Sequence, residues 1–114
     1  MEELEQLLKK IEEIAAKNED IQAEIEGWDR ILQFNIEGAQ PFYVQTKNGK
    51  LTIHQGTHQN PDLTFEASKE TILAILKGEL DATSAYMSGD LKITGPLPDA
   101  VKFRTILEIA RDEL

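Results

Sequence analysis

"PFYVQTKNGKLTIHQ", residues 41–55, decides the architecture of this chain. Phe42 and Val44 alternate with Tyr43 and Gln45, and Leu51 and Ile53 alternate with Thr52 and His54. A period of two marks strands with one apolar face. Asn48-Gly49 stands between the runs, a pair that tolerates the positive φ angles a type I′ turn demands at both central positions. Pro41 begins the first run, where its missing N–H costs no ladder bond. The stretch predicts an antiparallel hairpin.

The same reading extends outward. Upstream, "ILQFNIE" (31–37) puts Leu32, Phe34 and Ile36 on one face and Gln33, Asn35 and Glu37 on the other. Downstream, "PDLTFEAS" (61–68) sets Leu63 and Phe65 on one face, and "DLKIT" (90–94) supplies a fifth run. Strands that are apolar on one side only predict a half-covered, mainly antiparallel five-stranded sheet. The covering helices must come from the two ends of the chain, which gives an α+β fold.

Those helices are legible as stripes at 3.6-residue spacing. Leu4, Leu7, Leu8, Ile11, Ile14 and Ala15 define one over 2–17, and Ile21 and Ile25 define a second over 19–26, stopped by Gly27. Trp28 continues that stripe as a core anchor. Ser68 caps a helix that runs to Lys77, and Gly78 sits where a C-cap is wanted. Asp81 opens a short helix that Gly89 closes. The last helix, 99–111, has its main stripe at Ala100, Phe103, Ile106, Leu107 and Ala110. Val101 and Ile109 lie off that stripe, and a helix apolar on more than one side has a second contact: a ligand, a dimer partner or a membrane.

Composition bounds the function. The 114 residues, 40% hydrophobic and 29% charged, fit one domain spanning 1–114. The chain has no cysteine, which excludes disulfides, thiolate zinc and a cysteine nucleophile. No apolar run reaches the ~18 residues of a membrane span. The formal net charge is −9, with nine acids against three lysines in residues 1–26. Such a chain repels nucleic acid and docks poorly on anionic membranes, so at most transient membrane contact is expected. "MEELEQLLKK" is acidic and amphipathic rather than signal-like, and "RDEL" reads as the end of a helix, so the expected location is cytoplasmic.

Catalytic and cofactor patterns are missing from the sequence. Gly89 and Gly95 fit neither phosphate-loop spacing, since Gly89 closes a helix and precedes a strand. His54 falls on a strand and His58 in a loop, with too few companions for a metal. There is no nucleophile elbow and no assembled acid, base and nucleophile. The expectation is a non-enzyme with no cofactor and no metal. What remains is apolar, and Tyr86 and Met87 at a short helix's end could adapt to a flexible guest.

"KGELDATSAYMSGDLKITGPLPDAVKFRTIL", residues 77–107, resembles the sterol carrier protein 2 (SCP-2) family. Gly78, Leu80, Ser84, Ala85, Gly89, Leu91, Lys92, Ile93, Gly95 and Lys102 fall in the family's pattern, and "FNIEG", the Asn48-Gly49 hairpin and "PDLTFEAS" resemble its strands. The resemblance implies an apolar tunnel between sheet and helices that carries a fatty acid, fatty acyl-CoA, sterol-like or isoprenoid lipid. Carried over by position, the lipid-binding wall comprises Phe34, Ile36, Phe42, Phe65, Ile75, Tyr86, Met87, Ile93, Phe103, Ile106 and Leu107. It also leaves open an accessory or dimerisation module beside a lipid- or quinone-metabolising enzyme, with Val101 and Ile109 at a homodimer or partner interface. Two features depart from the pattern. Peroxisomal members end in a targeting tripeptide where this chain has Asp112-Glu113-Leu114, and many relatives are basic. A residual basic patch is expected at Lys92, Lys102, Arg104 and Arg111.

Overall fold

The loop after residue 55 carries the chain back across its own hairpin, and that return sets the sheet. In the computed structural model, which describes residues 3–114, β1 (Arg30–Glu37), β2 (Phe42–Lys47) and β3 (Lys50–Gln55) form an antiparallel meander. Asn48 and Gly49 take φ of 53° and 77°, the left-handed pair the turn requires. β4 (Leu63–Ser68) then adds to the far side of β1 and runs parallel to it. β5 (Lys92–Thr94) closes the edge antiparallel to β4, giving the order β3-β2-β1-β4-β5. The sheet is therefore mixed, with one parallel pairing at its centre and antiparallel pairings around it.

The returning loop is held by side chains of β1 and its own residues. Asp62 accepts through Oδ2 from the Ile31 N–H (2.7 Å), and the Asp62 N–H donates to the Ile31 carbonyl (2.8 Å). Gln33 lies on the polar face, as its place in the alternation requires, yet it is only 1% exposed. Its Nε2 donates to the carbonyls of Phe42 and Gly56 (3.2 Å each), and its Oε1 accepts from the His58 N–H (2.9 Å). A buried amide with its donors and acceptor engaged is tolerated where an unpaired one is not.

Among the described residues, five helices cover the apolar face. α1 (Glu3–Lys17) buries Leu4, Leu8, Ile11 and Ala15; the expected start at residue 2 lies outside the described residues. It also shields the free edge of β3, where Glu12 accepts from the Ile53 N–H and Glu5 from the Gln55 side chain (3.0 Å each). Asn18 ends α1 and caps α2 (Glu19–Ile25) by accepting from the Ile21 N–H (2.9 Å). Ser68 caps α3 (Lys69–Lys77) and Asp81 caps α4 (Ala82–Ser88), and Gly78 and Gly89 end them in left-handed conformation. α5 (Leu97–Arg111) starts two residues earlier than the stripe suggests. Pro98 sits in its first turn, where an N–H is not needed.

Asp99 fastens the start of α5 to the sheet. Trp28 Nε1 donates to its Oδ1 and Arg30 Nε to its Oδ2, both at 3.0 Å. Trp28 is buried, as expected of an anchor, and its carbonyl accepts from the Thr46 hydroxyl (2.6 Å).

Strand pairing aligns one row of residues across the whole sheet: Gln55, Phe42, Phe34, Phe65 and Ile93, one from each strand. The rings of Phe42, Phe34 and Phe65 stack with centroids 4.7 Å apart at each step, and Phe103 of α5 tilts over Phe34 and Phe65. This aromatic row is the floor on which the helices sit.

Candidate functional site

At the β4–β5 end of that row the helices do not close down on the sheet. A cavity of about 410 Å³ lies there, within the range of about 300–1,000 Å³ usual for small-molecule pockets. Phe34, Phe65 and Ile93 form its floor; Ile72, Ile75 and Leu76 of α3 form one wall. Tyr86 and Met87 of α4 flank it, and α5 covers it with Leu97, Ala100, Val101, Phe103 and Leu107. Gly95 makes the tight passage from β5 to α5 feasible: a Cβ there would stand 2.6 Å from the Asp62 carbonyl oxygen.

Eight of the eleven residues proposed for a lipid wall line this cavity: Phe34, Phe65, Ile75, Tyr86, Met87, Ile93, Phe103 and Leu107. Tyr86 and Met87 are at its mouth rather than inside it, 41% and 80% exposed. The other three belong elsewhere. Phe42, one strand too far along the row, faces a hollow beside α1; Ile36 pairs with Ala67 beyond the row and borders a polar groove; Ile106 is fully buried in the core. The stripe of α5 is broader than the cavity, so periodicity alone does not separate core from lining. Ile72, Leu76, Leu91, Leu97 and Ala100 line the cavity without having been singled out for it. Their common signal is position on the helices and turns that flank β5.

Two other hollows are larger, at about 550 and 580 Å³. The first is bordered by Glu5, Lys9, Glu12, Gln40, Gln55 and Lys69, the second by Asn35, Glu37, Glu66, Asp90 and Lys92. The first also has Leu4, Leu8, Phe42 and Ile53 on its walls, and the second is mainly polar. The cavity beside β5 is the most apolar of the three.

Four charged residues border it: Asp81, Arg104, Glu108 and Arg111. Arg104 reaches both acids, Asp81 at 3.2 Å and Glu108 at 3.5 Å. The Arg111 side chain has no hydrogen bond or ion pair to any described residue, and its Nε is buried without a partner. Two of the four residues of the basic patch expected at this end of the chain are neutralised by acids from other elements. Lys102 pairs with Glu24 at 3.3 Å and lies over the Trp28 ring, and Arg104 pairs with Asp81.

Val101 is 58% exposed at the cavity rim, whereas Ile109 packs against the core. The two off-stripe residues of α5 do not form one patch. His54 and His58 both contact the Tyr43 ring on the opposite face of the sheet, and His54 also bonds Thr52 (2.9 Å). Among the described residues no helix is long and apolar enough to cross a membrane.

Comparison with known proteins identifies the family and the fold. The profile of the SCP-2 sterol transfer family matches residues 4–108. Sterol carrier protein 2 of Oryctolagus cuniculus is 32% identical over 63 residues, which cover 55% of this chain and 12% of that protein. The chain thus spans only a small part of that relative. The solution structure of the sterol carrier protein domain 2 of Helicoverpa armigera superposes with a TM-score of 0.77 at 23% identity, covering 96% of this chain and 88% of that one. Palmitated SCP2L2 from Aedes aegypti gives 0.71 at 22% identity, covering 91% and 93%. The mixed five-stranded sheet under five helices is the fold of these structures, and the chain belongs to the SCP-2 sterol transfer family.

Proposed function

We propose that this protein is a non-catalytic carrier that holds one apolar lipid chain in the cavity between β4–β5, α3, α4 and α5. The observation that carries the reading is the apolar cavity itself, floored by Phe34, Phe65 and Ile93 and covered by Phe103 and Leu107. Each methylene moved from water to such walls gains about 0.8 kcal/mol. A long chain therefore overcomes an association cost of several kcal/mol without elaborate polar contacts. Membership of the family and the palmitate named for the Aedes aegypti structure support a lipid as the guest. The charged side chains at the rim favour binding over chemistry, since Arg104 occupies both nearby carboxylates.

The test is displacement of a fluorescent fatty acid, with native mass spectrometry of the gently purified protein. Ala100 is partly buried on the cavity side of α5, so Ala100→Trp fills the space with an indole. Binding by the wild-type protein and loss of binding in a folded Ala100→Trp variant are expected. Undiminished binding by that variant places the guest elsewhere.

A further inference from the structure

Arg111 is the one charged residue of the cavity rim with nothing to hold. Asp81, Arg104 and Glu108 satisfy one another. The Arg111 side chain makes no hydrogen bond or ion pair with any described residue, and its Nε is withdrawn from solvent with no acceptor. More than nine in ten buried polar groups have a partner, so an orphan asks for an explanation. A guanidinium cannot resolve the problem by losing its proton. What satisfies it is an acceptor that arrives with a ligand.

Its location specifies that ligand. Arg111 stands one turn beyond Leu107, and the two line the cavity together with Phe103, Ala100 and Leu97 on the same side of α5. At 1.5 Å per residue, Leu97 and Arg111 are about 20 Å apart along the helix axis. An extended acyl chain lying under the helix thus has an apolar path with one cation at its end. The arginine stem passes over Gly78, so closely that a Cβ there would stand 2.6 Å from Arg111 Cδ. A planar fork of N–H donors is matched by the two oxygens of an ionised acid group, and a carboxylate is the one a free fatty acid carries.

We propose that Arg111 is a head-group anchor that makes this cavity selective for free, ionised fatty acids, with the carboxylate at Arg111 and the tail running along α5 toward Leu97. This rests on the carrier reading above and adds to it a ligand polarity and a residue that sets specificity. Esters, alcohols and sterols fill the same apolar path but offer Arg111 only a neutral oxygen in place of the charge-assisted, two-pronged pair a carboxylate makes.

The experiment compares palmitic acid, methyl palmitate and hexadecanol as competitors of a fluorescent fatty acid, on the wild-type protein and on Arg111→Met and Arg111→Lys. The wild-type protein is expected to prefer the acid by about tenfold or more, the scale of a charge-assisted pair. Arg111→Met lowers affinity for the acid and leaves the ester and the alcohol unchanged; Arg111→Lys retains part of the preference. Equal wild-type affinity for acid and ester, or a parallel loss for all three probes in Arg111→Met, overturns the anchor and leaves the carrier reading standing. Failure of every probe to bind overturns both. Should Arg111→Met not fold, carbon NMR of carboxyl-labelled palmitate on the wild-type protein decides. A bound carboxyl that ionises at lower pH than a free carboxylic acid supports the pairing, because a neighbouring cation favours the charged form. Ionisation at or above the ordinary range overturns it.

Discussion

Phe103 on α5 stands 5.7 Å from Phe34 on β1, centroid to centroid, with the ring planes inclined by 56°. Here the last helix meets the aromatic row of the sheet, at the border between solid core and open cavity. Phe103 is 5% exposed. Replacing it with alanine should cost about 3–5 kcal/mol, as for other buried phenylalanines. Urea denaturation followed by circular dichroism measures this, and a change under about 1 kcal/mol contradicts the seating of α5 described here.

Asp99 predicts a second effect on α5. It accepts from both Trp28 and Arg30 at 3.0 Å. Asp99→Ala removes both acceptors and should cost about 1–3 kcal/mol. Because Trp28 is the only tryptophan, its emission reports the change directly. A variant with unaltered emission and unaltered stability means the helix is seated by apolar contacts alone.

Gln33 predicts the behaviour of the loop that brings β4 beside β1. Gln33→Leu leaves the Phe42 and Gly56 carbonyls and the His58 N–H without their side-chain partner. Loss of about 1–3 kcal/mol is expected, with faster hydrogen exchange at the His58 amide. Exchange at wild-type rates would show that the loop is held by other means.

Met87 and Lys92 separate the cavity from the rest of the surface. Met87 borders the apolar cavity, whereas Lys92 borders the polar groove. Met87→Glu should weaken acyl binding more than Lys92→Glu does, though only severalfold, since Met87 is 80% exposed. Equal effects of the two variants in the displacement assay place the entrance elsewhere.

Local chemistry was legible in the sequence, and long-range pairing was not. Ser68, Asp81, Gly78 and Gly89 each act within one turn of chain, and their roles as caps follow from residue type. The same holds for Asn48-Gly49. Periodicity tells which face of β1 and β4 is apolar, but it is silent on the direction in which they pair, because a parallel and an antiparallel strand present the same alternation. Gln33 shows the limit from the other side: its alternation assigns the face, while its burial depends on a loop 25 residues away. For the cavity, the floor and most of the cover could be read from position. Phe42, Ile36 and Ile106 could not be separated from it, since a stripe marks burial and does not tell packed core from empty space. Arg111 went unrecognised as a distinct feature because pairing is a property of its neighbours: acids from α2 and from the start of α4 take Lys102 and Arg104.

The central claim is that the guest lies between β5, α3 and α5, and contacts from a bound chain test it most directly. Methyl-labelled protein with palmitate, studied by NMR, should show transfer from the acyl methylenes to the methyl groups of Ile75, Ile93 and Leu107. Transfer instead to Leu4, Leu8 and Ile53, which border the hollow beside α1, or no transfer at all, would contradict it.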